Sequence, residues 1–184
     1  MVEDLKKRAA QANHGNTQAV KIDDIFRQQK NEWAAQFAAE GREIVFKNQV
    51  TDRLPLATPS SLSQAIATLV ENSLKYGAGT VTVSTRKGVS SRSIFVEVTD
   101  EGEGVSEELA PHIFRRGVSG HGSSGIGLAL AKDLIEADGG RIELTSRKPV
   151  VFTISLSAVS ESMSPDRLLP QGGLVVVGRR HGRQ

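Results

Sequence analysis

The strongest constraint on the fold is a pair of segments whose residues alternate between apolar and polar. Residues 80–85 and 93–99 both show this two-residue period, and a short Gly- and Ser-rich stretch separates them. Successive side chains of a β-strand point to opposite faces of the sheet, so the pattern predicts two half-buried strands that form an antiparallel hairpin. Residues 141–145 and 150–156 repeat the arrangement and predict a second hairpin. A sheet built from two hairpins needs a second layer to cover its apolar face.

Segments with a helical period supply that layer. Helices are predicted over residues 23–39, 61–76 and 125–137, where apolar residues recur every three to four positions. Residues 19–22 and 43–50 predict two further strands. The mixture of hairpins and helices predicts an α+β fold, a two-layer sandwich in which a mixed, mostly antiparallel sheet packs against three helices. Between the second strand and the second helix, Pro55 and Pro59 predict a loop.

The composition excludes several classes of protein. The 184 residues are enough for one compact domain with flanking segments. The chain has no cysteine, which excludes disulfides and thiolate metal sites, and no apolar run approaches the roughly 20 residues that cross a bilayer. Its net charge of +2 comes from basic and acidic residues that are interleaved along the chain. This pattern is typical of a solvated surface, so we expect no nucleic acid partner and no membrane contact by this chain.

One face of the second predicted helix is polar. Asn72, Lys75 and Tyr76 are three and four positions apart and therefore share a face. An asparagine carbonyl oxygen is a suitable ligand for Mg²⁺, and an ammonium group one turn away can meet a phosphate. An ordinary solvated helix face has the same composition, so the trio alone leaves both interpretations open.

Two glycine clusters lie downstream. Asp100, Gly102 and Gly104 directly follow a strand, where a carboxylate can accept a hydrogen bond from an exocyclic amine such as that of adenine, and glycines let a flat ring approach the backbone. For this cluster taken alone, a simple turn is the competing interpretation. Gly125 and Gly127 open the third helix, whose N-terminus favours anions. No Gly-Lys-Ser/Thr sequence follows, so this is not a P-loop, and a preceding loop argues against a dinucleotide fingerprint.

Taken in order, these segments resemble the ATP-binding domain of sensor histidine kinases. That domain belongs to a superfamily (the Bergerat ATP-binding fold) shared with DNA gyrase, a heat-shock chaperone and MutL-type repair proteins. The resemblance covers residues 20–157 and rests on four motifs and the turn after them. They are the N box at 71–76, the G1 box at 100–104, the F box at 112–117, the G2 box at 124–130 and the turn at 138–142.

The resemblance implies roles for the polar residues. Asn72 would coordinate the Mg²⁺ that bridges the phosphates. Lys75 and either Arg115 or Arg116 would offset phosphate charge, and Tyr76 would pack near the nucleoside.

The resemblance also implies roles for the two glycine clusters and the segment between them. Asp100 would bind the adenine amine, with Gly102 and Gly104 beneath the ring. Residues 105–123 would form a mobile lid, in which His112 and His121 would be solvated. The start of the third helix would hold the triphosphate through Ser124, Gly125, Ile126, Gly127 and Leu128.

The sequence departs from the family pattern in three places. Thr68 stands where an asparagine is usual, residues 148–150 stand where the last hairpin usually has a Gly-Thr pair, and no histidine has the helical context of a phosphoacceptor. In the gyrase and MutL branch, a glutamate at the position of Thr68 activates water, and related serine kinases carry an acid there. A threonine cannot deprotonate water near pH 7, whereas a neutral imidazole is already nucleophilic. Thr68 therefore favours a histidine kinase over an ATP hydrolase, although Glu71 beside Asn72 remains a candidate base.

These observations predict the catalytic domain of a two-component sensor histidine kinase. It would transfer the γ-phosphoryl group of ATP to a histidine on a dimerisation domain absent from this chain. We expect ATP and Mg²⁺ as cofactors, and ATP or ADP, that dimerisation domain and a response regulator as partners. We expect a cytoplasmic location in a bacterial membrane sensor. Two alternatives stay open: a regulatory module that binds nucleotide without chemistry, and a serine kinase or ATPase of the same superfamily.

Three segments are expected along the chain. Residues 1–19 would be the remnant of a dimerisation helix and its linker, residues 20–157 the ATP-binding kinase domain, and residues 158–184 a peripheral tail. Within that tail, residues 174–177 could add an edge strand.

Overall fold

The computed structural model describes residues 16–117 and 126–163. Within these ranges a seven-stranded sheet packs against three helices, which confirms the predicted α+β sandwich. In chain order the elements are β1 (Gln18–Ala19), α1 (Ile22–Ala39), β2 (Ile44–Lys47), β3 (Arg53–Ala57), α2 (Pro59–Tyr76), β4 (Val81–Lys87), β5 (Ser93–Thr99), a 3₁₀ turn (Ala110–His112), α3 (Gly127–Ala137), β6 (Arg141–Arg147), β7 (Val150–Ser160) and a second 3₁₀ turn (Glu161–Met163).

Both predicted hairpins are present and join into one sheet. β4 pairs antiparallel with β5, and β6 pairs antiparallel with β7. β5 also pairs with β7 along its whole length, from Ser93 opposite Ser157 to Thr99 opposite Val151. The strand order is β1-β3-β7-β5-β4-β2, with β6 beside β7, and β2 is parallel to β4. Strand β5, which leads into the first glycine cluster, and strand β7 of the last hairpin therefore lie side by side at the centre of the sheet.

The core lies between the central strands and the helices. Alternate residues of β5 point toward the helices, and Ile94, Val96 and Val98 are fully buried there. They share one apolar cluster with residues of α2, including Leu62 and Leu69. Burial of this apolar surface holds α2 across the sheet and leaves its polar face on the other side.

Strand β3 corrects the expectation of a loop. Arg53–Ala57 pairs antiparallel with β7, with Pro55 opposite Ala158. Proline has no N–H group to donate to a ladder, which is why the segment resembled a loop. Its carbonyl oxygen nevertheless accepts a hydrogen bond from the backbone N–H of Val20, at 2.9 Å. Pro59 is the first residue of α2, where a helix does not need the missing N–H group.

The element bounds differ slightly from the expected ones. The first strand is Gln18–Ala19 rather than 19–22, and β2 is shorter than the expected 43–50. β7 continues to Ser160, so the folded unit extends beyond 20–157 on both sides. Of the helix remnant and linker expected at residues 1–19, residues 1–15 lie outside the described residues, as does the possible strand at 174–177. Among the described helices, none is both long and apolar enough to cross a membrane.

Candidate functional site

Two contacts fix how α3 lies along α2. Asp138, which follows α3, accepts hydrogen bonds from the backbone N–H and the hydroxyl of Thr58, both at 2.8 Å, and Thr58 precedes α2. Toward the other end, a Cβ added to Gly127 would lie 3.4 Å from the methyl carbon of Thr68. The helices therefore run antiparallel, and the N-terminus of α3 lies against the middle of α2, one turn before Asn72.

A buried carboxylate lies beyond the C-terminal end of α2. Asp100 is only 4% exposed, and its Oδ1 accepts a hydrogen bond of 2.8 Å from the backbone N–H of Gly102. A Cβ added to Gly77 would lie 2.5 Å from Asp100 Oδ2, and one added to Gly102 would lie 2.9 Å from Oδ1. Both glycines are thus packed flat against the carboxylate. Oδ2 has no hydrogen-bond partner among the described residues, which leaves it able to accept a bond from an amine.

The polar face of α2 connects these two features. From Thr68 to Tyr76 the helix rises about 12 Å, at 1.5 Å per residue. Asn72 is half-buried midway along this stretch. The N-terminus of α3 attracts negative charge, while Asp100 accepts hydrogen bonds. The polar face of α2 therefore runs from a helix N-terminus, which can attract an anion, to a carboxylate, which can accept a hydrogen bond from an amine.

Lys75 is engaged in an ion pair. Its Nζ lies 2.7 Å from Oε1 of Glu71, one turn earlier on α2, and both side chains are about half exposed. The hydrogen bond to Glu71, followed by the attraction of its charge, raises the pKa of Lys75 above the usual value, so the ammonium form persists at neutral pH. Separating an exposed ion pair of this kind costs little free energy. Lys75 can therefore turn to a phosphate, but Glu71 acts as a base only after releasing Lys75.

Thr68 has no free hydroxyl proton to offer a ligand in this conformation. Its Oγ1 donates to the carbonyl oxygen of Gln64, at 3.0 Å, and its methyl group faces Gly127. The residue thus packs α3 against α2.

Tyr76 ends α2 and is 46% exposed, so its ring borders the site. Gly104 lies in a different environment from Gly102. Its φ of +95° is in the left-handed region, and an added Cβ would clash with the carbonyl oxygen of Arg147. The same oxygen accepts a bond of 3.0 Å from the N–H of Val105. Gly104 therefore attaches the segment after β5 to the turn between β6 and β7.

The described part of the expected lid, residues 105–117, packs against the sheet. Ile113 is buried, and the Phe114 ring meets Phe152 edge-on with centroids 6.0 Å apart. Glu107 also pairs with Arg147 at 2.7 Å. Residues 105–117 are thus folded onto the sheet, and the rest of the expected lid, residues 118–123, lies outside the described residues.

The expectation that His112 is solvated is wrong. Its side chain is half-buried, and its Nδ1 is buried without a hydrogen-bond partner among the described residues. It belongs to the 3₁₀ turn that carries Ile113 and Phe114 onto the core, a packing between distant segments that local sequence does not reveal. His121 lies outside the described residues.

The structure distinguishes two arginines that the sequence left equivalent. Arg116 forms an ion pair of 2.9 Å with Asp133 on α3. Arg115 is exposed, and its guanidinium has no ion-pair partner within 16–117 and 126–163. Arg115 is therefore the better candidate for a phosphate contact.

The G2 residues are placed only in part. Ser124 and Gly125 lie outside the described residues. Ile126 precedes the first residue of α3, Gly127, and is 48% exposed. The Leu128 side chain is half-buried and packs against the core.

Sequence reasoning overlooked Arg42. Its guanidinium donates to the carbonyl oxygens of Gly79, at 2.9 Å, and of Ser73 and Leu74, both at 3.1 Å. The bonded carbonyls lie 31 to 37 positions further along the chain, so no local pattern could reveal the contact.

The side-chain oxygens near Asn72 would hold a magnesium ion only together with a phosphate ligand. In the described parts of the chain, no three His, Asp or Glu side chains are close enough to hold a metal ion. Asn72 would supply one oxygen, and Mg²⁺ commonly completes its shell with substrate phosphates and water.

Comparison with protein families identifies this kind of domain. Residues 57–160, more than half of the chain, match the family described as histidine kinase-, DNA gyrase B-, and HSP90-like ATPase. The match begins at the end of β3 and includes the polar face of α2, Asp100 and the start of α3.

Curated relatives are sensor proteins and sensor histidine kinases that are much longer than this chain. The heme sensor protein HssS of Staphylococcus saprophyticus is 30% identical over 70% of this chain and 29% of its own length. The sensor histidine kinase ZraS of Salmonella typhi is 30% identical over 80% of this chain and 32% of its own length. The chain therefore spans less than a third of either relative.

Solved structures share the fold at lower identity. Full-length ShkA in complex with AMPPNP superposes with a TM-score of 0.70 and 23% identity, covering 78% of this chain and 31% of that one. The catalytic domain of the histidine kinase ThkA, in a nucleotide-free form, gives a TM-score of 0.68 and 19% identity, covering 77% of this chain and 95% of that one.

Proposed function

Since this chain belongs to the family of histidine kinase-, DNA gyrase B-, and HSP90-like ATPases, we propose that it binds ATP with Mg²⁺ and donates the γ-phosphoryl group to a histidine. That histidine would lie on a dimerisation domain outside this sequence. The observation that carries the proposal is the pairing of a buried carboxylate, Asp100, with a helix N-terminus at Gly127 along one face of α2.

Asp100 would orient the base. The Oδ1 atom already accepts a hydrogen bond from the N–H of Gly102. The remaining Oδ2 would therefore accept a hydrogen bond from the exocyclic amine of adenine. Burial excludes competing water and strengthens this bond. Gly77 and Gly102 would let the backbone lie close against the Asp100 carboxylate, and Tyr76 would border the ring.

Asn72, Lys75 and Arg115 would meet the phosphates. The carbonyl oxygen of Asn72 would hold Mg²⁺, which supplies charge neutralisation between the phosphate groups when bound. Lys75 would exchange its bond to Glu71 for one to a phosphate. The backbone at Gly127 would bind a phosphate at the N-terminus of α3.

The reaction itself would depend on positioning and charge neutralisation, as phosphoryl transfer generally does. A neutral imidazole nitrogen of the acceptor would form the bond to phosphorus as the bond to the β–γ bridging oxygen breaks and ADP leaves. No protein base is needed for this step, which agrees with a Thr68 hydroxyl that is bonded to Gln64.

The same proposal implies the domain bounds, the location and the partner of this chain. The domain would span 20–157 with the small extensions to Gln18 and Ser160, on the cytoplasmic side of a bacterial membrane sensor. A response regulator would take the phosphoryl group from the acceptor histidine.

One observation favours ATP hydrolysis as a second candidate. The Glu71 carboxylate is adjacent to Asn72 on α2, and loss of its bond to Lys75 would free it to activate water. The two candidates are separable by experiment. The chain is incubated with γ-labelled ATP, Mg²⁺ and a dimerisation domain from a sensor histidine kinase, with its acceptor His→Gln variant as control. We expect label on the acceptor histidine and negligible phosphate release. Steady phosphate release without labelled protein would contradict the kinase proposal.

A further inference from the structure

The end of α1 directs Arg42 toward α2. Gly41 has a φ of +66°, and its N–H donates to Ala38 at 3.0 Å, while the N–H of Arg42 donates to Phe37 at 2.8 Å. These two bonds form a Schellman motif, which turns the chain sharply at the end of a helix. The guanidinium of Arg42 then lies 5.2 Å from the centre of the Phe37 ring, a cation–π contact that fixes its direction.

Arg42 joins two parts of the segment that follows Asn72. Its Nη1 donates to Ser73 and Leu74 in the last turn of α2, and its Nε donates to Gly79 beyond the helix. Helix C-terminal carbonyls carry partial negative charge and need donors, so a guanidinium suits them. The side chain of Arg42 is half-buried, and its remaining nitrogen, Nη2, is buried without a hydrogen-bond partner among the described residues.

The segment that Arg42 holds forms the support for Asp100. The backbone of Gly77 packs against the Asp100 carboxylate. Ala78 accepts a bond of 2.9 Å from the N–H of Glu101, and the Glu101 carboxylate accepts one of 2.7 Å from the N–H of Thr80. Residues 77–80 and 100–102 are thus joined by hydrogen bonds and close packing. Arg42 binds the first of these two segments through the carbonyl oxygen of Gly79.

We propose that Arg42 is a positioning residue for the base-binding end of the site. It acts through residues 77–80, which hold the Asp100 carboxylate in the position to accept a hydrogen bond from the exocyclic amine of adenine. The proposal rests on the function assigned to Asp100 above. It predicts that Arg42 controls discrimination between adenine and a base that lacks this amine.

Arg42→Met in the full 184-residue chain tests the proposal. Methionine keeps an apolar stem over Phe37 but donates no hydrogen bonds. The matched control is Arg86→Met, because Arg86 also lies over an aromatic ring, 4.7 Å from the centre of Phe95, but on the exposed side of the sheet. Each protein is titrated calorimetrically with ADP and with inosine diphosphate, which has a carbonyl in place of the amine.

We expect wild type and Arg86→Met to bind ADP more tightly than inosine diphosphate. Arg42→Met should lose affinity for ADP by roughly tenfold, because the hydrogen bond between Asp100 and the adenine amine is weakened, while affinity for inosine diphosphate changes little. A purely structural loss would weaken both nucleotides equally and leave their ratio unchanged; an unchanged ratio overturns the proposal. If Arg42→Met does not fold, Arg42→Lys is used, since an ammonium group cannot span three carbonyls.

Amide hydrogen exchange without nucleotide separates failure of this inference from failure of the proposed function. The Gly102 N–H donates to Asp100, so it should exchange faster in Arg42→Met than in wild type or Arg86→Met. If wild type binds neither nucleotide, the proposed function fails, and the exchange of Gly102 still decides whether Arg42 holds Asp100. Equal exchange in all three proteins rejects the positioning role.

Discussion

At the scale of single residues, Asp100 has the surroundings most specific to a ligand-binding role. It is a nearly buried carboxylate with one oxygen bonded to Gly102 N–H and no ion-pair partner among the described residues. A buried ionised group without a cation is costly unless its hydrogen bonds are satisfied. A ligand amine at Oδ2 would complete them.

Asp100→Asn should weaken ADP binding by roughly 100-fold, because the amide presents a donor to the donor of adenine. The fold should persist, since the amide oxygen can still accept from Gly102. Calorimetry measures the affinity, and Asp133→Asn on the exposed side of α3 serves as the control. Equal affinity in Asp100→Asn and wild type would reject the role of Asp100.

Gly104→Ala should reduce the free energy of unfolding more than Gly117→Ala does. Both glycines have positive φ values, +95° and +78°, but only Gly104 has no room for a Cβ beside Arg147. Left-handed φ alone costs about 1 kcal/mol, and the clash should bring the loss at Gly104 to roughly 2–3 kcal/mol. Denaturant unfolding gives both values. Equal losses would mean that the contact with Arg147 is not tight.

At the scale of elements, the antiparallel packing of α2 and α3 places the two ends of the site. Asp138 accepts two hydrogen bonds from Thr58 at the start of α2, as an N-terminal cap does. This contact fixes the position of Gly127 along α2 and hence its distance from Asn72.

Asp138→Ala should lower the free energy of unfolding by about 1–2 kcal/mol, because it leaves the N-terminus of α2 without its acceptor. Asp133→Ala, on the same helix but paired only with exposed Arg116, should cost less than about 1 kcal/mol. Thermal melting of both variants compares them directly. A melting temperature of Asp138→Ala equal to that of Asp133→Ala would show that the cap does not stabilise the pair.

The sequence predicted the elements whose signal is local and missed those that depend on distant contacts. The two hairpins and three helices follow from periodicity, and all are present. The sequence does not reveal β3, because Pro55 has no N–H group to donate and its partner in the sheet, Ala158, is distant in the chain. The packing of Phe114 on Phe152 and the bonds of Arg42 were missed for the same reason.

At the scale of the whole molecule, the sheet and its three helices carry the features expected of a nucleotide-binding domain. The family match and the geometry around Asp100 and Gly127 account for a nucleotide site. The chain covers less than a third of the relatives HssS and ZraS, and the four histidines in the chain have no phosphoacceptor context. We therefore propose that this chain is the phosphoryl donor and that the acceptor histidine lies on a separate domain.

The most direct test of this account is calorimetric titration of the chain with ATP in the presence and absence of Mg²⁺, together with Asn72→Ala. We predict saturable binding at one site, tighter with Mg²⁺, and a melting temperature that rises with ATP concentration. Asn72→Ala should fold normally and lose the effect of Mg²⁺. No heat and no shift in melting temperature at millimolar ATP would contradict the central claim that this domain binds ATP.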